Sequence, residues 1–384
     1  MAIGAFGFMI GTGGSALVAK TLGEGDKEKA NRYFSMLIYI TVIFSVVVTV
    51  VGYILMPQIA NALGASSLII DDCILYGRIL ILTIGFFMLQ NSFQSFLVTA
   101  EKATFGLVIS IASGVCNIVL DFLLVYVFDF GIYGAAAATA LSQVLGAVIP
   151  LIYFSKKNDS LFRFVKTKIE IKPLLKACAN GMSEMLTNLS TSLVSMIYNF
   201  QLMKIAAENG VSAYGVIMYV SIIFMSFFFG YSIGVNPIAG YNYGAKNSAE
   251  LKNVLKKSLV FTGIVAVCMT IISVAFSGVI AKVFVGYDAE LYSMTSNAMK
   301  LYSLSFLLCG FNIFASAFFT GLNNGKVSAI ISVMRTLIFQ TASVLILPVF
   351  LGINGIWLAI TVAELITLVF TSVFLITNRK KYNY

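Results

Sequence analysis

Residues 116–143 read CNIVLDFLLVYVFDFGIYGAAAATALSQ: two apolar runs joined by a short polar turn, with an amide, a carboxylate and a hydroxyl set inside the runs. Asp121 stands eight residues before the turn Asp129-Phe130-Gly131, and Thr139 stands eight residues after it. At a helical rise of ~1.5 Å per residue, both sit roughly 12 Å below the same membrane surface. Asn117 precedes Asp121 by one helical turn, so its amide shares the face of the carboxylate and is in register to donate a hydrogen bond to it. A charge inside a spanning helix costs at least ~2.5–3.5 kcal/mol, which makes such an Asp a functional-site hypothesis by default. The alternative is an Asp that snorkels outward or caps a helix end, but this side chain is short and lies two turns from the end.

The rest of the composition agrees with a membrane setting. The chain has 384 residues, of which 59% are hydrophobic and only 11% charged, with a mean hydropathy of +0.94. That defines an all-α polytopic membrane protein rather than a soluble domain. It contains no His, which removes His-based catalysis and His-ligated zinc. The five Cys (73, 116, 178, 268 and 309) stand singly in or beside apolar segments, as core hydrophobes do. With no recognisable nucleophile motif and no intramembrane Asp pair, the chain does not read as an enzyme.

Apolar runs long enough to span occur near 33–56, 77–99, 104–128, 131–154, 181–204, 211–241, 256–284, 295–320, 326–350 and 353–377, with a shorter one at 1–19. If the loop at 20–32 is cytoplasmic, alternation places 20 of the 25 Lys and Arg residues inside, so the basic loops and the C-terminus are expected in the cytoplasm. The net charge of +9 therefore follows the membrane, and no nucleic acid partner is expected. No secretory signal pattern precedes the first run.

The chain also repeats itself. Gly131-Ile132-Tyr133-Gly134 recurs as Gly352-Ile353-Asn354-Gly355, Asn91 and Ser95 as Asn312 and Ser316, and Gly23 as Gly244, all shifted by 221. Such regularity predicts two pseudo-symmetric helical bundles sharing one orientation. The expected division is an N-terminal lobe at 1–155, a cytoplasmic linker at 156–180 and a C-terminal lobe at 181–384. The linker interleaves basic and apolar residues, as segments lying on anionic headgroups do. In the second copy, the helices at 181–204 and 211–241 have first-copy partners that fall before or across residue 1. The repeat arithmetic therefore expects a twelve-helix design with about eleven helices here, and roughly 40 to 50 further residues upstream.

Three more polar residues are candidates for a cavity. Glu184 reads either as a charge near a helix N-terminus or as a cavity residue. Glu364 is mid-span in the last helix, and Arg335, about ten residues into its own helix, either neutralises a carboxylate or lines the cavity. The second-copy equivalents of Asp121 and Thr139 are approximately Ser343 and Ile360, so the two lobes have diverged.

Taken in order, GGSALVAKTLGEGDKEKANR, the 117–143 hairpin, NPIAGYNYGAKN and LPVFLGINGIWLAI resemble the MATE family, the multidrug and toxic compound extrusion transporters, over essentially the whole chain. In one branch of that family an Asn and an Asp one turn apart, a Thr on the next helix and an Asp on the first helix form a proton or sodium site. Asn117, Asp121 and Thr139 match the first three; the fourth belongs to the helix expected upstream. A second family pattern places a Glu in the middle of the seventh helix, where Thr191 stands here, with Glu184 earlier. The resemblance implies a monomeric multi-pass transporter of the cell inner (plasma) membrane, exporting small organic cations or drugs by H+- or Na+-coupled antiport, with no cofactor. Asp121 would ligate a metal ion only under sodium coupling. The other reading is a flippase for lipid-linked saccharides, which shares the fold but favours strongly basic cavities, whereas here Arg335 is the one deeply placed base.

Overall fold

The computed structural model describes residues 4–62 and 70–384, and among them the chain is helical with no strand. The helices are α1 Ala5–Gly23, α2 Lys27–Ala62, α3 Ile70–Thr99, α4 Ala103–Asp121, α5 Gly131–Ser155, α6 Ile171–Gly244, α7 Ser248–Ala275, α8 Ser277–Val285, α9 Ala289–Ser303, α10 Phe306–Gly321, α11 Gly325–Val333, α12 Gln340–Leu351 and α13 Ile353–Tyr382. Two π-helical turns, Phe122–Val127 and Met334–Phe339, continue α4 and join α11 to α12. Eight of the described helices are long and apolar enough to cross a membrane, nine if α9 and α10 count as one bent span. Backbone N–H and C=O groups find no water in hydrocarbon, so helices that satisfy them internally are the structures these runs can form.

The chain divides into two compact units, Met1–Gly181 and Met182–Tyr384. In the first, α3 packs against α1, α2, α4 and α5; in the second, α10 packs against α7, α11 and α13. Helix α6 supplies two of the expected spans because it breaks at Ala207 (φ 48°, ψ −143°). Tyr198 and Tyr214 stack at 5.0 Å, and sixteen residues of straight helix would hold them about 24 Å apart, so the chain reverses there.

Two spans expected as single helices are interrupted. The run at 256–284 breaks at Phe276 into α7 and α8, and the run at 295–320 bends by 46° between α9 and α10. Neighbouring hydroxyls make the bend tolerable: Thr270 Oγ1 donates to the Ser303 carbonyl across from α7 at 3.4 Å. Hydroxyls are common within these apolar helices, and many, like Thr21 and Ser35, donate to the carbonyl four residues back and so satisfy themselves.

The duplication is written in the backbone. Left-handed residues recur at Gly25 and Lys246, Glu101 and Asn323, and Gly131 and Gly352, each pair 221 or 222 apart. Asp26 and Asn247 cap the next helices alike, each accepting from the backbone N–H three residues on. At the hairpin turns, Tyr133 donates to Asp72 in the first unit, and Asn297 Nδ2 donates to Asn354 Oδ1 at 3.1 Å in the second.

Between α5 and α6, residues 156–170 form an extended strap on the first unit. Asn31 Oδ1 accepts from the Arg163 backbone N–H at 2.7 Å, and Ser35 Oγ accepts from Val165 N–H at 2.9 Å. Phe162 and Phe164 both stack on Phe34 at 5.2 Å. Lys102 reaches Asp159 at 2.8 Å, which holds the Asp159 carboxyl below the usual carboxylate range and the Lys102 ammonium above its own. Pro173 is the third residue of α6, where its missing N–H has no intrahelical partner to lose.

Candidate functional site

The second unit brings Arg335, Glu364 and Asn312 together inside its helices. Arg335 lies in the π-helical turn Met334–Phe339, whose extra residue per turn shifts side chains from α-helical register. Its Nε donates to Glu364 Oε1 of α13 at 2.6 Å, and Asn312 Nδ2 of α10 donates to Glu364 Oε2 at 2.7 Å and to the Glu364 carbonyl at 3.0 Å. Glu364 is only 2% exposed, so its charge is carried by these donors rather than by water. Glu184, half-buried in α6, is within electrostatic reach of the guanidinium but forms no ion pair among the described residues.

Arg335 and Glu364 border a cavity of about 200 Å³. Thr187, Thr191, Ser195 and Gln340 give it polar edges, and Met218, Met225 and Phe229 an adaptable apolar wall. Tyr214 and Tyr302 also line it, the latter within 3.2 Å of Ser221 Oγ. Asn312 Oδ1 is buried with no hydrogen-bond partner, an acceptor held beside the ion pair. Glu184 is not in the lining.

In the first unit the three hairpin residues occupy consecutive elements. Asn117 and Asp121 lie in the last turns of α4, Asp121 at the point where the helix widens into Phe122–Val127, and Thr139 lies in α5, which packs along α4. All three are half-buried. The hydrogen bond expected from Asn117 to Asp121 is not formed: Asn117 Nδ2 is buried without a partner, and among the described residues no hydrogen bond joins the three side chains. A shared helix face decides which side chains can meet, but their χ rotamers decide whether they do, and here the rotamers leave the Asn117 amide nitrogen without a partner.

At repeat shifts of 221, 222 and 221, Asn312, Arg335 and Glu364 correspond to Asn91, Ser113 and Gln143, all neutral. Each unit thus carries its buried acid at a different register. Reading residues for charge finds Arg335 and Glu364 but passes over Asn312, whose signal was its recurrence with Asn91. Tyr214 and Tyr302 carried no signal, because tyrosine in an apolar helix reads as core.

Two helical units of one design, each with a carboxylate inside its spans, define the class of duplicated multi-pass membrane transporters. The chain belongs to the MatE family, whose profile matches residues 1–123 and 185–345. It is 25% identical over 359 residues to the multidrug export protein MepA of Staphylococcus saprophyticus, covering 91% of this chain and 76% of that protein. The Staphylococcus haemolyticus MepA is 25% identical over 369 residues, covering 94% and 79%. Among solved structures, a MATE in complex with MaL6 matches with a TM-score of 0.95 at 21% identity, and an outward-facing multidrug resistance MATE transporter with 0.94 at 22%; both cover 100% of this chain and 86% of the other.

Proposed function

We propose that this protein exports small organic cations from the cell by antiport with H+ or Na+ through alternating access, and that Asn117, Asp121 and Thr139 take the coupling ion. The observation that carries this reading is Asp121: a half-buried carboxylate within a span, beside a buried Asn117 amide that has no partner. Asp121 has no ion pair among the described residues and so has charge to give a cation, whereas Glu364 is already neutralised by Arg335 and hydrogen-bonded by Asn312. The multidrug export proteins among its relatives support the substrate class. Carboxylate, amide and hydroxyl oxygens suit sodium, and a carboxylate oxygen can equally carry a proton, so both ions fit the donor set. The protein works as a single chain in the plasma membrane, with basic loops and C-terminus in the cytoplasm.

Cation entry at Asp121 changes the charge of a span by one unit and so biases one conformation over another by its differential affinity for the two. The test is efflux of a fluorescent organic cation from cells with and without an imposed proton or sodium gradient. Gradient-driven efflux should be abolished in Asp121→Asn; full coupled efflux by that variant would remove Asp121 from the mechanism. A flippase for lipid-linked saccharides is disfavoured, since Arg335, the base that would meet a pyrophosphate, is committed to Glu364.

A further inference from the structure

The strap of the first unit builds two adjoining recesses that the transport reading does not use. On one side a pocket of about 600 Å³ is lined by Lys27, Arg32, Arg163 and Lys166, with Glu28 its one acid and Asn31 at its base. None of these four cations is in an ion pair among the described residues. On the other side a groove of about 430 Å³ runs along Ile38, Val42 and Ile43 of α2 and Leu151 of α5, closed by Tyr39 and Phe164. The extended backbone makes the division: Arg163 and Val165 line the basic pocket, while Phe164 between them turns to the apolar groove. The Asn31 and Ser35 hydrogen bonds and the Phe162 and Phe164 stacks on Phe34 hold the strap in that register.

We propose that this unit binds an anionic phospholipid, with the phosphate in the basic pocket and one acyl chain along the α2 groove. A soluble phosphate uses only the first recess; a membrane lipid uses both, in the order a headgroup and chain require. Three of the four basic positions are not basic in the second copy. At the repeat shift, Lys27 and Arg32 correspond to Ser248 and Asn253, and Arg163 to Tyr384, which instead packs on Phe318. The proposal does not depend on what the protein exports.

The test uses the purified full chain and phosphatidylglycerol carrying a diazirine in its acyl chain. Retention of the lipid is followed by native mass spectrometry, and its position by photo-crosslinking. Each basic residue near a surface is worth about a fivefold change in binding of an anionic lipid, so joint Arg32→Gln, Arg163→Gln and Lys166→Gln replacement should weaken retention by more than about tenfold. The charge-matched set Lys252→Gln, Lys256→Gln and Lys257→Gln on α7 should leave it unchanged. Crosslinks on the unmodified protein should fall on α2 near Ile38 to Ile43 and on Phe164, which decides the matter even if the triple variant fails to fold. Equal weakening by both sets, crosslinks spread over other helices, or displacement of the lipid by inorganic phosphate would overturn the proposal.

Discussion

Glu364 shows how one buried residue can hold its surroundings together without adding net stability. Its pair with Arg335 repays the desolvation of both charges and little more, so the pair as a whole is close to neutral, while either half alone is a buried uncompensated charge. Glu364→Gln should therefore lower stability by about 3–5 kcal/mol, read as a lower thermal unfolding midpoint in detergent. Replacing both residues, Arg335→Met with Glu364→Met, should recover most of that loss. An unchanged midpoint in the single variant would mean that Arg335 finds another partner, with Glu184 the acid best placed to serve. Asp121 differs in kind: it forms no ion pair among the described residues, so Asp121→Asn should cost transport coupling and leave the unfolding midpoint within about 1 kcal/mol of the parent.

At the scale of elements, the α4–α5 and α12–α13 hairpins are the same device built twice. Each turns on a left-handed glycine, Gly131 or Gly352, and each packs a second glycine three residues later against the returning helix. A methyl at Gly134 would lie 2.8 Å from the Leu124 carbonyl oxygen, and one at Gly355 would lie 2.4 Å from that of Leu347. Backbone cannot yield as a flexible side chain can, so Gly134→Ala and Gly355→Ala should each destabilise by about 1–3 kcal/mol. Gly114, on α4 with nothing within 4 Å of its missing Cβ, is the control. Gly114→Ala should be neutral or stabilise by up to about 1 kcal/mol, because glycine in a helix interior carries an entropic penalty. Thermal unfolding of the three variants side by side checks the prediction.

For the whole molecule, alternation of the helices sorts the loops into two sets. If each span crosses the membrane in turn, positions 24–26, 101–102, 158–160, 245–247 and 323–324 are expected on one side, and 129–130, 286–288 and 352 on the other. Single cysteines placed at these positions in a background without the five natural ones should react with an impermeant thiol reagent in those two groups. The first group should be shielded in intact cells, as positive-inside orientation requires. A mixed pattern within either group would break the assignment of α6 as two spans or of α9 and α10 as one.

The fold was legible because lipid leaves a chain few choices. Apolar runs of about twenty residues must be helices, and the matching of Gly131 with Gly352 and Asn91 with Asn312 in the sequence announces two copies. The acids were legible for the same reason, since Asp121 and Glu364 stand out in apolar runs. What the sequence could not carry was direction and partnership. Spacing places Asn117 and Asp121 on one face, yet the side-chain rotamers, which spacing does not set, leave the amide nitrogen without a partner. Arg335 and Glu364 are 29 residues apart and Asn312 and Glu364 are 52 apart, so only helix packing and the π-turn at Met334–Phe339 decide that the three meet. The strap was visible as a basic, apolar-interleaved linker, but its two recesses exist because Asn31, Ser35 and Phe34 fix its register. Hydropathy is a property of segments and survives in the sequence; a buried ion pair or a binding pocket is a property of the distances between segments, and tertiary packing sets those.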